Sequence, residues 1–302
     1  MLMRDVESYL AVRRAAGFEL RRVERYLLSF ARFAEARGET HVRADTAIKW
    51  SALPAATLQW HYRLRAVLNL ARYLRAEDAR HELPPEDVFV HRHRRPRPFI
   101  FTPDEVRRLV TEATRLGPAG SLRPRTYSTL FTLLAITGIR ISEALALRME
   151  DFIADGLVIL ESKFKKNRLV PLDSTAVAGI RRYLVQRCAV RGSDDELFVS
   201  PRGKKISYAA VYRIFRELIQ KADVGPRLGV PPRIHSFRHT FAVRALEDCR
   251  GNRSEVDRRV LALSTYLGHS SIASTYWYLE ATPELLADIS TATAGLFSGS
   301  DR

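Results

Sequence analysis

Cysteine is scarce. The chain has two in 302 residues, Cys188 and Cys249, in helical-looking stretches with no metal-ligand spacing around them. Neither a disulfide framework nor a cysteine metal site can therefore be the basis of the fold. No apolar run approaches the ~18 residues of a membrane span, so no membrane partner is expected. The opening Met1-Leu2-Met3-Arg4-Asp5 lacks the apolar core of a signal peptide, which predicts a cytoplasmic chain with reduced thiols. Also missing are a glycine-rich loop for nucleotide phosphates and a carboxylate cluster for catalytic cations, so no cofactor and no metal are expected. Acidic residues are in deficit: 34 Asp plus Glu against 49 Lys plus Arg leave a net charge of +15. Such an excess suits a polyanion through release of condensed counterions, and arginine's planar fork suits phosphate.

What is present reads as a folded protein. A hydrophobic content of 46% and a charged content of 27% are ordinary for a chain with a core, and the length allows two domains. Residues 1–90 read as four helices. Val6, Tyr9, Leu10 and Val12 start one stripe, ended by Gly17; Val23, Leu27, Phe30 and Phe33 form a second, stopped at Gly38. A third helix spans Ala44 to Trp50, and a fourth runs from Ala55 to about Ala76. Arginines on the polar face of the fourth, Arg63 and Arg72 among them, fit a small DNA-clamping bundle.

Composition then changes. His91-Arg92-His93-Arg94-Arg95-Pro96-Arg97-Pro98 is basic and broken by prolines that forbid helix, so residues 91–101 read as a linker. Arg92, Arg94 and Arg95 are its candidate phosphate contacts. The second unit, 102–302, opens on Thr102-Pro103-Asp104-Glu105, a helix cap with proline at the first position. A core helix near Thr126–Ile136 ends at Gly138. Leu157–Leu160 and Leu169–Leu172 read as two strands around the basic turn Lys165-Lys166-Asn167, whose lysines are further candidate DNA contacts. The expected class is mainly α: a four-helix bundle followed by a mixed α+β domain with a small antiparallel sheet.

Five clusters in this second unit carry chemistry: Thr137-Gly138-Ile139-Arg140-Ile141-Ser142-Glu143; Ser162-Lys163-Phe164; His235-Ser236-Phe237-Arg238-His239; Leu267-Gly268-His269; and Tyr276-Trp277-Tyr278. A phosphodiester attacked by an oxygen nucleophile gains charge on its non-bridging oxygens. Without a metal, that charge needs fork-shaped cations aimed at the phosphate. Arg140, on a turn just past Gly138, and Arg238 can supply them. Glu143, three residues on, can orient Arg140. His235 and Arg238, at i and i+3, share a helical face and can reach one phosphate, whereas helical geometry turns His239 away, toward packing. A tyrosine hydroxyl, pKa ~10, is a weak nucleophile until a base and cations favour the phenolate.

The order and spacing of these clusters resemble the tyrosine recombinases, the integrase family, over residues 100 to 280. The resemblance implies that Arg140, Lys163, His235, Arg238 and His269 are catalytic and that Tyr278, nine residues after His269, is the nucleophile. Tyr276 is the rival, and the two point roughly 200° apart on a helix. The lysine would protonate the departing 5′-oxygen. Its neighbours here are Ser162 and Phe164 where the family has glycines, so Lys165 and Lys166 stay open beside Lys163. The implied activity is site-specific cleavage and rejoining of double-stranded DNA through a 3′-phosphotyrosyl link, by a tetramer on DNA in the nucleoid. Residues 283–302, with Leu285, Leu286, Ile289, Leu296 and Phe297 as an apolar stripe, either fold back on their own catalytic domain or, as the resemblance implies, dock on the next protomer. A type IB topoisomerase or a non-catalytic DNA-binding regulator on the same scaffold are the alternatives.

Overall fold

The computed structural model describes residues 2–53, 57–89, 97–162, 166–190, 194–247, 253–269 and 271–280. Several residues singled out above lie outside these: Cys249, Arg92, Arg94, Arg95, Lys163, Lys165, the Lys166 side chain and the 283–302 tail. The chain divides into two compact units, residues 1–95 and 96–302.

The first unit is a bundle of α1 (Leu2–Ala15), α2 (Arg21–Glu35), α3 (Ala44–Ser51) and α4 (Thr57–Arg75). The stripes read from the sequence meet in one core: Val6, Tyr9 and Leu10, Leu27 and Phe30, Trp50, then Val67 and Leu70 are all buried, whereas Val12, read into the first stripe, is exposed. Apolar residues at i, i+3 and i+4 put one face of each helix on the axis, and burial of that face holds the bundle. His41, Asp78 and His81 tie the loop before α3 to the segment after α4. Their ligand-type atoms lie within 4.8 Å of one another. The Val42 N–H donates to His81 Nδ1 at 3.1 Å, which in the neutral ring puts the proton on Nε2 and leaves no lone pair there for a metal. Burial lowers the His81 pKa, in keeping with that neutral form, so the cluster is a clamp. Arg63 is half-buried and donates to the Leu53 carbonyl at 3.2 Å, bracing the entry to α4. Arg72 is exposed and paired with Glu86.

The second unit comprises α5 (Pro103–Thr114), α6 (Arg123–Thr137), α7 (Ile141–Ala144), strands β1 (Phe152–Ile153), β2 (Gly156–Ser162) and β3 (Lys166–Pro171), and helices α8 (Ser174–Cys188), α9 (Tyr208–Lys221), α10 (Ser236–Glu247), α11 (Arg253–Leu267) and α12 (Ala273–Glu280). The predicted cap is present: Glu105 N–H donates to Thr102 Oγ1, and Thr102 N–H to Glu105 Oε2. The predicted hairpin is antiparallel β2–β3, joined by β1 into a three-stranded sheet. In its register Leu157 faces Val170, and Ile159 faces Arg168. Leu157, Ile159 and Val170 are buried while Leu160 and Leu169 are exposed, the alternation expected of a sheet with one dry face. On α10, Phe237 stacks on Phe101 and Phe131, with centroids 4.9 and 5.9 Å apart, and the Phe101 N–H donates to Thr240 Oγ1 at 2.9 Å. Helix α10 is thus fixed against the core, with its other side turned to α11 and α12.

Candidate active site

The turn after α6 sets the first cation. Gly138 caps α6 in the left-handed region, φ 60°, with its N–H donated to the Leu134 carbonyl. A Cβ there would stand 2.6 Å from the Phe241 ring, so only glycine lets the turn lie this close to α10. Two residues later Arg140 precedes α7 in extended conformation. Glu143 accepts the Arg140 N–H on Oε2 at 2.9 Å and Arg140 Nη1 on Oε1 at 2.6 Å. Burial alone would raise the Glu143 pKa, but hydrogen bonds from Arg168 and Arg140 outweigh it and hold the carboxyl ionised.

Arg238, on α10, is only 2% exposed. Its Nη1 donates to the Gly138 carbonyl at 2.9 Å and its Nη2 to the Leu267 carbonyl at 2.6 Å. Arg140 Nη2 reaches the next carbonyl, Gly268, at 3.1 Å. Both guanidiniums therefore knit the α6–α7 turn to the turn that ends α11. Burial, reinforced by Arg140, pulls the Arg238 pKa down to about 10, which still leaves it cationic at neutral pH. Each fork has five N–H donors, so both keep capacity for a phosphate.

Three imidazoles line the same place. His235 and His239 stand one turn apart, rings 4.6 Å from each other. His269 bonds buried Thr275 through Nδ1 at 2.7 Å and lies nearly parallel to the Tyr278 ring at 6.3 Å. His235 is exposed, yet neighbouring protein, with Arg238 and Arg140 adding positive charge, lowers its pKa to about 4. Burial is also the main cause for His239 and His269, which fall to about 3 and about 4. All three rings are neutral at physiological pH.

The two tyrosines separate as helical geometry requires. Tyr278 is 3% exposed, and its hydroxyl lies 3.0 Å from His239 Nδ1. Tyr276 is 41% exposed and donates to Asp257 Oδ1 at 3.2 Å. Of the residues predicted from sequence, Arg140, His235, Arg238, His269 and Tyr278 come together, drawn from segments up to 138 positions apart. Lys163, outside the described residues, is not placed. One expectation is corrected: His239 does not face away into packing but meets the Tyr278 hydroxyl. Counting 100° from Arg238 turned it elsewhere, yet it is i+4 from His235 and so lies on that residue's face.

One residue of the site went unnoticed. Arg168 on β3 grips Glu143 through Nη2 and Nη1 at 2.8 and 3.2 Å and donates Nε–H to the Tyr266 carbonyl at 2.8 Å. The signal was present: alternation that buries Val170 places Arg168, two residues earlier, on the same inward face.

Comparisons with known proteins agree with this geometry. The model of the phage integrase family matches residues 100–284. The integrase/recombinase-like protein y4rB of Sinorhizobium fredii is 36% identical over 294 residues, 94% of each chain. Tyrosine recombinase XerD of Caulobacter vibrioides is 32% identical over 233 residues, 75% of this chain and 72% of that one. In fold, the chain is similar to the XerH site-specific recombinase in its post-cleavage complex with a palindromic difH substrate. The TM-score is 0.67 at 18% identity, covering 88% of this chain and 77% of that one. The chain belongs to the phage integrase family, the tyrosine recombinases, which cleave and rejoin DNA.

Proposed function

We propose that Tyr278 is the nucleophile of a site-specific recombinase and that Arg140, Arg238, His235, His269 and Lys163 serve it. The carrying observation is the convergence of two guanidiniums on consecutive carbonyls beside the Tyr278 ring. In this reading the Tyr278 oxygen attacks a DNA phosphate, the new P–O bond forms a 3′-phosphotyrosyl link, and the bond to the 5′-oxygen breaks. The phenol proton passes to an imidazole: His235 by the motif's assignment, or His239, the ring the hydroxyl touches. Lys163 protonates the departing 5′-oxygen. Arg140 and Arg238 stabilise charge on the non-bridging oxygens. Attack by a partner strand's 5′-hydroxyl reverses the step, so bond energy is conserved.

The wider assembly belongs to the same proposal. The +15 charge supports double-stranded DNA as partner, with the helical first unit, Arg92, Arg94 and Arg95 of the linker, and Lys165 and Lys166 of the hairpin turn as backbone contacts. Strand exchange between two duplexes calls for four protomers, linked through residues 283–302. No helix among the described residues is long and apolar enough to cross a membrane, and the nucleoid is the proposed site of action. A nicked suicide substrate tests the core of this reading, because the cleaved strand's end diffuses away and leaves the protein covalently attached. Wild type and Tyr276→Phe should form the adduct, and Tyr278→Phe should bind without forming it. Exchange of those two results would move the nucleophile to Tyr276. Reversible binding alone, with no adduct from any variant, would make the protein a regulator.

A further inference from the structure

Arg168 has no part in the chemistry proposed above, yet it is a charged side chain held inside the site. Its side chain is 11% exposed and that of Glu143 8%. The strand register that pairs it with Ile159 turns it inward, and both Nη atoms meet the Glu143 carboxylate while Nε meets Tyr266. Its guanidinium also lies against Gly268. A Cβ at that glycine, φ +63°, would stand 3.0 Å from Arg168 Nη1. The Gly268 carbonyl in turn accepts Arg140. One planar group thus touches the carboxylate that holds Arg140 and the backbone that leads to His269.

Charge makes this arrangement consequential. Arg140 and Glu143 alone are a neutral pair, and a carboxylate 2.6 Å from Nη1 competes with phosphate for the same fork. With Arg168 the three groups carry a net +1, and Glu143 has a bidentate partner of its own. We infer that Arg168 is a positioning residue of the cleavage reaction: it takes up the charge of Glu143, so that Arg140 stays oriented by that carboxylate yet remains a cation for the scissile phosphate. Arg168 acts through Glu143 and Arg140 and does not touch DNA. The inference rests on the reading of Arg140 as a phosphate ligand.

A charge cycle separates this role from simple bracing of the hairpin. Wild type, Arg168→Gln, Glu143→Gln and the double variant are compared by single-turnover adduct formation on the nicked substrate at saturating protein. Half-site affinity and thermal midpoint are measured on the same proteins. Glutamine at 143 keeps one carbonyl acceptor for the Arg140 N–H, removes the charge and turns the other acceptor oxygen into an NH2 donor. Arg168→Gln should slow cleavage by about ten- to a hundredfold while half-site affinity stays within about twofold, since a buried group adds nothing to the salt-dependent backbone contacts. The double variant should recover most of that loss, because no uncompensated carboxylate then holds Arg140. Arg168→Lys, which keeps the charge and folds more conservatively, should fall between wild type and Arg168→Gln. A double variant no faster than Arg168→Gln would overturn the inference and leave Arg168 a brace. So would an Arg168→Lys as slow as Arg168→Gln, or a rate loss matched by loss of affinity. Failure of the underlying reading looks different: Arg140→Gln would then cleave as fast as wild type, whatever the cycle gives.

Discussion

At the scale of single residues, the site is defined by what burial does to two of its histidines. His239 and His269, both partly buried, stand at about 3 and about 4 against an ordinary 6.5, while His235 is exposed and solvent screens its share. Neutral rings can accept the phenol proton, and a phosphate drawn in by the two arginines would raise their basicity at the moment it is needed. The same shifts make stability depend on pH. Between about pH 6.5 and pH 4 the unfolded chain binds protons at these positions that the folded chain does not. Stability from this source is whole above that window and is lost as pH falls through it. The thermal midpoint should drop between about pH 7 and pH 5, and His239→Gln should lessen the drop. A midpoint indifferent to pH in both proteins would show that the rings are charged as they are in water. Lys163 offers the second test at this scale. Lys163→Ala should slow cleavage of an ordinary phosphodiester by something like 10²–10⁴-fold. A substrate with sulfur at the bridging 5′ position should restore the rate, since a thiolate leaves without a proton. Equal defects on both substrates would remove Lys163 from the leaving-group role and point to Lys165 or to simple binding. Sequence alone carried Arg140, Arg238 and Tyr278 because their motifs are contiguous. It did not carry the contact of His239 with Tyr278, which depends on how α12 docks on α10.

At the scale of elements, the turns do more than the helices. Helices α1 to α4 were legible because each keeps one apolar stripe, and the cap at Thr102 because its residue types are nearly unique to that task. The hairpin was legible in place but not in length, since β2 and β3 run two or three residues further toward the turn than their apolar cores, Leu157–Leu160 and Leu169–Leu172. Strand β1 has two residues, too few to show a period. Arg168 was hidden for a related reason: the strand reading began one residue after it, at Leu169. The turn at Gly138 gives an element-scale prediction. Gly138→Ala places a Cβ against Phe241 at a left-handed φ, and the carbonyl of that same residue holds Arg238. The substitution should cost about 1–3 kcal/mol of stability by urea titration and should slow cleavage beyond what that loss explains, because Arg238 moves with the turn. Lost stability with normal cleavage at low temperature would mean that the Gly138 carbonyl is dispensable for Arg238. Gly17, with a similar φ and nothing near its Cβ position, is the control: alanine there should strain only its own turn.

For the whole molecule, the sequence speaks through charge and through the 283–302 tail. Protein–DNA affinity that rests on phosphate contacts falls linearly with salt on logarithmic axes. Neutralising Arg92, Arg94 and Arg95 together should reduce that slope by up to about three phosphate equivalents, and an unchanged slope would take the linker off the DNA. Arg72, paired with Glu86, and Arg63, donated to Leu53, should contribute less to the slope than their place on α4 led the sequence to promise. The tail tests the assembly. Thr282 and Pro283 have the residue types of a helix start; in a helix, Leu285, Leu286, Ile289, Leu296 and Phe297 would form an apolar stripe, to be covered by its own protomer or by the next. Strand exchange needs neighbouring sites to act in turn, which favours the next. Deleting residues 283–302 should then leave one protomer binding a half-site with its usual affinity while abolishing cooperative filling of the full site and recombination between two duplexes. Adduct formation on an isolated half-site should survive, since every residue of the proposed cleavage set lies before position 283. A truncated protein that melts as an isolated monomer would place the stripe on its own catalytic unit. One that recombines normally would remove the tail from the assembly altogether.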